Sequence, residues 1–213
     1  MTIRAKLAAA IALTILGPLV TIGVALAAFG TLGERFADVD RAGANQRLAL
    51  DLKFAVTDVN GWQTAYGYDD GRSRPRFEAA AEETEALLAR ARRRLTAPDE
   101  RALLVQLDSE LRRFMALDAQ AWRALEENRP QETKRILLGP ELEHFARMAR
   151  IAGELADVEL GAAAGAATEF DDARDDARRQ LVAVAIGAGV VIILLLLTAQ
   201  DVVRLALERR DPA

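Results

Sequence analysis

Residues 181–199 read LVAVAIGAGVVIILLLLTA, a stretch with no charge and one hydroxyl, at Thr198. About 20 such residues form a helix long enough to cross the hydrocarbon core of a bilayer. Working outward, a second uncharged run covers residues 7–33, LAAAIALTILGPLVTIGVALAAFGTLG. Gly17-Pro18 lies inside it, so this span is expected to be kinked, with neighbouring groups satisfying the carbonyl that proline frees. Arg4 and Lys6 before the run and Ala25-Leu26-Ala27 within it also suit a cleaved secretory signal. The run is longer than the roughly 7–15 residues of a signal core, however, and helical patterning continues past Glu34, which favours an uncleaved anchor. Arg4 and Lys6 at one end, and Arg204, Arg209 and Arg210 at the other, place both termini on the cytoplasmic side of the inner membrane. The expected layout is a cytoplasmic start at 1–6, a first span at 7–33, an extracytoplasmic domain at 34–180, a second span at 181–200 and a cytoplasmic tail at 201–213.

Composition narrows the chemistry of the middle segment. It carries 23 Lys plus Arg against 29 Asp plus Glu, so it is acidic and a poor partner for nucleic acid. The chain has no cysteine and one histidine. Disulfides are therefore excluded, and material for a transition-metal site or a Cys/His nucleophile pair is nearly absent. We expect neither cofactor nor catalysis, and stability resting on helix packing.

Apolar residues in the segment recur at helical spacing. Leu48, Leu52, Ala55, Val59, Trp62 and Tyr66 follow a 4,3,4,3,4 pattern, a seam like that of a coiled coil. Asp69-Asp70-Gly71 and Pro75 break the chain. A second seam follows at Phe77, Ala81, Thr84, Leu88, Ala91 and Leu95, closed by Arg90, Arg92, Arg93 and Arg94 as a solvated terminus suited to the helix dipole. Thr96 is expected to cap the third helix, with Pro98 in its first turn and Asp99 and Glu100 favouring the dipole. That helix carries Leu104, Leu107, Leu111, Phe114, Asp118, Ala121 and Leu125. Asn128-Arg129-Pro130 ends it, residues 131–138 form a short helix, and Gly139-Pro140 opens the last, with its seam at Met148, Ile151, Leu155, Val158, Ala162 and Gly165. At 1.5 Å per residue the first and last helices reach ~55 and ~60 Å, so their lengths match. The expected fold is all-α, an antiparallel up-down-up-down four-helix bundle flanked by two transmembrane helices.

This layout resembles the sensory half of bacterial methyl-accepting chemotaxis receptors of the four-helix-bundle class. Asp51-Leu52-Lys53-Phe54 and Asp58-Val59-Asn60-Gly61-Trp62-Gln63-Thr64-Ala65-Tyr66 look like the first sensor helix of the type associated with actinobacteria. Lys134-Arg135-Ile136-Leu137-Leu138-Gly139-Pro140-Glu141-Leu142-Glu143-His144-Phe145 is similar to the start of the fourth. The resemblance implies a ligand-sensing domain in a homodimeric membrane receptor. Such receptors continue into a relay module and a cytoplasmic signalling hairpin, and residues 201–213, ~20 Å of helix, are too short for these. The expectation is a sensor that passes its signal to a partner, or a receptor remnant.

Two groups of residues suit a ligand. Trp62 and Tyr66, with Asn60 and Gln63 beside them and Tyr68 nearby, offer aromatic faces with polar handles for a small organic molecule, although core packing is the commoner use of such residues. Arg72, Arg74 and Arg76 form a basic tip able to clamp a carboxylate or phosphate, against the ordinary reading of a solvated loop. Asp118 interrupts an apolar seam, so it either turns outward or pairs with an arginine in a structural role. Glu141-x-x-His144 has the spacing of a di-iron half-site, but a second such pair is required and no other histidine exists. Haem ligation by His144 and Met148 fails because neighbours on one helix cannot take opposite axial positions.

Beside the sensor stands a second expectation, a non-sensing interaction protein that dimerises with a full-length receptor. Ala183 and Gly187, at small-xxx-small spacing, and Gly189 allow close helix approach in the second span. The expected partners are thus the lipid bilayer, a second copy or a receptor, and a small-molecule or binding-protein ligand.

Overall fold

The computed structural model describes residues 3–208, and every element among them is helical. Helix α1 spans Ile3–Tyr68, α2 Arg74–Arg94, α3 Pro98–Glu126, α4 Pro130–Ile136 and α5 Leu142–Glu208, with a π-helical turn at Leu137–Glu141 between the last two. Arg4, Lys6 and Arg204 fall within α1 and α5, while Arg209 and Arg210 lie outside the described residues. Two helical stretches, Ile11–Tyr68 and Pro130–Gln200, are long and apolar enough to cross a membrane. Their apolar windows are only 6% and 0% buried, which suits side chains facing lipid better than the core of a soluble protein.

The chain divides into two compact units. One comprises α1 up to Asp38 and α5 from Ala167. Within it, Arg35 Nη1 donates to Glu169 Oε2 at 2.5 Å and Phe36 meets Phe170 edge-on with ring centres 6.3 Å apart. Pro18 does not interrupt α1, and Thr21 Oγ1 donates to the Gly17 carbonyl at 2.9 Å. An apolar groove of about 650 Å3 runs past Leu16, Gly17, Pro18, Gly187, Ala188 and Val191.

The other unit is Val39–Ala166. Its core joins side chains of α1, α2, α3 and α5 in one cluster. Leu52, Leu95, Leu104, Leu107, Phe77, Phe114, Met148 and Leu155 are fully buried there. Each contributes about 1.5–3 kcal/mol of burial free energy, which is how a unit without disulfides is held together.

The breaks between helices follow local chemistry. Past Tyr68, Asp70 (φ 55°) and Gly71 (φ 87°) adopt the left-handed conformation that caps a helix, and the Gly71 N–H returns to the Tyr66 carbonyl at 2.9 Å. Asp69 Oδ1 accepts from the Ser73 N–H at 3.2 Å and Oδ2 from the Ser73 hydroxyl at 2.6 Å, tying the turn to the start of α2. Asn128, at φ 55°, plays the left-handed role after α3. At the start of α3 the cap residue is Ala97, not Thr96. Pro98 then occupies the first helical position, and the Glu100 carboxylate reaches back to accept from the Ala97 N–H at 2.8 Å.

The seams of α2 and α3 are buried as expected, save Leu125, which is half-buried while Ala124 is enclosed. Those of α1 and α5 rotate along their length. In α1, Gln63 is enclosed and Trp62 only half-buried. In α5, Ala152, Ala156 and Glu159 replace Val158, Ala162 and Gly165 on the inner face. A straight helix of 3.6 residues per turn drifts by ~20° per heptad against a 3.5 repeat. Two heptads give ~40° against ~100° between consecutive residues, so an inner face that begins between the buried Leu48 and Ala49 reaches Gln63 and leaves Trp62 at its edge.

Candidate functional site

A polar cluster lies inside the Val39–Ala166 unit, where α1 ends and α2 begins. The seam of α1 carries Gln63 and Tyr66 inward, the first turn of α2 supplies Arg74, α3 supplies Asp118, and the π-turn supplies Glu141. Tyr66 Oη donates to Asp118 Oδ1, and Arg74 Nη1 donates to Asp118 Oδ2 at 2.7 Å. Arg74 Nε donates to Glu78 Oε1 at 3.0 Å, one turn along α2. The guanidinium lies 5.2 Å from the centre of the Tyr66 ring, 4.7 Å from Phe77 and 4.9 Å from Trp122. Tyr66 meets Phe77 and Trp122 edge-on, with ring centres 5.5 and 5.6 Å away. A partly desolvated cation among three rings is worth about 2 kcal/mol or more, and this packing orients both ends of the Arg74–Asp118 pair.

Burial decides the electrostatics. Asp118 is 1% exposed, and desolvation raises its carboxyl above the usual range despite hydrogen bonds from Tyr66 and Arg74. The Tyr66 hydroxyl is pushed far up by burial and then by the Asp118 charge, so it stays a proton donor. For Arg74, burial works against the charge but Asp118 outweighs it and raises the guanidinium.

Glu141 is the unsatisfied member. It is 0% exposed, and neither carboxyl oxygen has a hydrogen-bond partner within bonding geometry. Gln63 Nε2, whose amide lies beside it, is likewise buried without one. Burial, reinforced by the neighbouring Asp118 charge, pushes Glu141 up to about 8 against the milder opposing pulls of Gln63 and Arg74. A carboxyl in this setting is neutral over most of the physiological range.

Glycines let the surrounding turns close over the cluster. At Gly71 an added Cβ would lie 2.9 Å from the Trp122 ring, on a backbone already in the left-handed region. At Gly67 it would meet Leu137 Cδ1, the far end of a side chain from the π-turn.

Of the seven residues suggested by sequence, Gln63, Tyr66 and Arg74 enter the cluster. Trp62 is half-buried and sits under Arg76, whose guanidinium is 4.7 Å from the ring centre. Arg72 and Arg76 are exposed, Asn60 is half-buried, and Tyr68 is 68% exposed and outside any aromatic cluster. The tip is therefore not uniformly a solvated loop, because Arg74 folds inward, leaving 16% of its side chain exposed. Asp118 takes the paired alternative. In the sequence Glu141 stands out only as half of a metal site, although its place directly after the Gly139-Pro140 break is a signal for an inward turn, and Trp122 carries no signal at all.

A second set of charges lies further along α3 and α5. His144 Nδ1 is 2.6 Å from Glu110 Oε2, and Arg147 Nε donates to the same oxygen at 3.0 Å. Burial alone would raise Glu110, but the hydrogen bonds of His144 and Arg147 bring it below its ordinary value. His144 is thus engaged with α3, while Glu141 turns into the core. The two do not face a common metal, and no group of three metal-ligating side chains occurs among the described residues. Glu159, 1% exposed, is raised to about 7 by burial and by Glu100 beside it. Of the arginines that close α2, Arg93 and Arg94 are exposed, as a solvated terminus would be, and Arg92 and Arg94 also reach Asp108 Oδ2 and Asn45 Oδ1, each at 2.8 Å.

Comparison with family models, curated proteins and solved structures yields no match.

Proposed function

We propose that the chain is a membrane-anchored extracytoplasmic sensor whose Val39–Ala166 unit is an antiparallel up-down-up-down four-helix bundle. Ligand meets it at the end where α1 gives way to α2. The observation that carries this reading is the concentration of polar chemistry there. Arg74, Asp118, Tyr66, Gln63 and Glu141 are drawn into the interior, Arg76 stands exposed on the half-buried Trp62, and Arg72 is exposed in the turn before α2. The exposed guanidiniums and the indole suit a small organic molecule bearing a carboxylate, which arginine recognises with paired charge-assisted hydrogen bonds. The resemblance of residues 51–66 and 134–145 to chemoreceptor sensor helices supports a role in signal transduction of the chemotaxis kind. In that reading α1 and α5, whose helical hydrogen bonding is unbroken between the sensor unit and the apolar windows, shift by ~1–2 Å on binding.

The test is thermal unfolding of the full chain in detergent with a panel of amino acids and organic acids. A ligand at 100 times its Kd stabilises by about 2.7 kcal/mol, and R72A/R76A should abolish the shift. A flat response across every amino acid and organic acid would defeat the reading.

The groove past Gly17, Pro18, Gly187 and Ala188 favours a second reading, a partner helix docked against small residues in a non-sensing interaction protein. Crosslinking in membranes separates the two: recovery of a receptor supports the second, recovery of homodimers alone counts against it.

A further inference from the structure

The sensor reading leaves Glu141 without a task. It is fully buried, and it is the one carboxylate of the cluster with no hydrogen-bond partner for either oxygen. An ionised carboxylate in such a place is costly unless paired, so the chain either keeps it neutral or expels it.

The backbone offers a means of expulsion. Glu141 ends a five-residue π-helical turn in which Gly139, at φ −114° and ψ −109°, departs from helical geometry, and Pro140 withholds an N–H between them. Before it, α4 is only seven residues long and is fastened to α3 by Ile136 and Leu137 packing on Ala121, and by the Thr133 hydroxyl reaching the Ala121 carbonyl at 3.4 Å. A seven-residue strap that packs in a small apolar cluster of its own, next to a pre-existing break, is the part of the unit able to open locally while the main core stays folded.

We propose that Glu141 is a proton-operated latch: neutral, it seats the π-turn in the core beside Gln63, and on losing its proton it leaves the core and releases the α4 strap from α3. The groups facing it oppose one another. From α3, Asp118 disfavours its ionisation; from α2, Arg74 favours it, with Glu78 bonded to Arg74 on the solvent side; from α1, Tyr66 presents a hydroxyl already committed to Asp118. On its own side of the break, His144 is held by Glu110 and Arg147 and does not reach it. The elevation of the carboxyl to about 8 fits this arrangement and sets the range in which the latch operates. The proposal stands whether or not a ligand binds at the arginines.

Hydrogen exchange of the full chain in detergent, read over residues 130–141 and corrected for base catalysis, tests it. One proton separates the closed and open states. The open fraction should therefore grow about tenfold per pH unit from about pH 5 and flatten above about pH 8, while residues 48–56 and 104–114 stay protected. In E141Q the segment should be closed and insensitive to pH, and E159Q should leave the transition in place. A wild-type segment with no pH-dependent opening overturns the latch without recourse to any variant. So does persistence of the transition in E141Q, and loss of it in E159Q would transfer the effect to the other buried glutamate. Since no ligand is added, failure here leaves the sensor reading standing, and failure of the ligand panel leaves the latch standing.

Discussion

Asp118 and Glu141 are two carboxylates buried in the same cluster, and they have opposite surroundings. Asp118 accepts from Tyr66 and from Arg74, which is itself stacked among three rings; Glu141 has only the Gln63 amide beside it and no bond of good geometry. The difference separates two uses of buried charge. A satisfied pair fixes how α1, α2 and α3 meet, whereas an unsatisfied carboxyl is held in place only while it keeps its proton. The first is a rigid joint and the second is conditional. The sharpest way to break this comparison is to remove partners from each.

The largest effect is expected at the rigid joint. D118A leaves the Arg74 cation and the Tyr66 hydroxyl buried without their acceptor, a loss of about 3–5 kcal/mol for a broken buried pair. Urea unfolding of the full chain in detergent, followed by tryptophan fluorescence, measures it within one unit, since both tryptophans, Trp62 and Trp122, lie in Val39–Ala166. Replacing both charges, as in R74M/D118L, should recover most of the loss, because apolar side chains of similar volume substitute well for a buried ion pair. A double variant no more stable than D118A would mean that the pair is not the source of the penalty.

At the conditional site the variable is pH. Glu141 has its folded value raised to about 8 from an ordinary 4.5, so between those values the native state keeps a proton that the unfolded state has released. Stability is then fully present below about pH 4.5, falls as pH rises, and levels off above about pH 8, by a few kcal/mol in all. Glu159, raised to about 7, adds a fall of the same sign that ends sooner. E141Q should leave the profile flat above about pH 7, and E159Q should roughly halve the slope below it while leaving the fall up to about pH 8. A wild-type profile rising between pH 5 and 8 would contradict both assignments.

The two sites also differ in how far the sequence revealed them. Asp118 stands out as an acid in the seam from Leu104 to Ala121, where a carboxylate must either turn outward or find a cation, and Arg74 is already a candidate. Glu141 stands out there only as half of a metal site, because its inward turn depends on the kink at Gly139-Pro140, and a register reset by a kink is invisible to a 3.5 or 3.6 period. The same limit applies to Gln63 and Glu159. A heptad extended from Leu48 or Met148 names Trp62 and Val158, and the slow rotation of a straight helix brings in the next residue instead. Helix existence, the breaks at Gly71 and Pro130 and the seams of α2 and α3 were legible because glycine, proline and short apolar repeats act locally. The Trp122 contact was not, since its partners lie on α1 and α2, far away in sequence.

Smaller effects probe how tightly the turns close over the cluster. G71A places a Cβ 2.9 Å from the Trp122 ring at a φ of 87°, so both the ring and the backbone resist, and a loss of about 1–3 kcal/mol is expected. G67A should be milder, because the clashing Leu137 atom is the end of a flexible side chain that can swing aside. If the two variants prove equal, closure at the π-turn is as rigid as closure at the α1–α2 turn, and the conditional character assigned to Glu141 loses its structural basis.

The smallest expected effect separates the exposed arginine from the buried one. Arg76 stacks on Trp62 at 4.7 Å with its guanidinium in solvent, where such a contact contributes about 0.5–1 kcal/mol. Arg74 makes a contact of the same kind at similar distances but inside the protein and bound to Asp118. R76A should therefore lower stability by no more than that and shift Trp62 emission, while R74A approaches the D118A loss. A large penalty for R76A would show that the Trp62 face belongs to the folded core, and would remove it as the surface on which an organic anion lands.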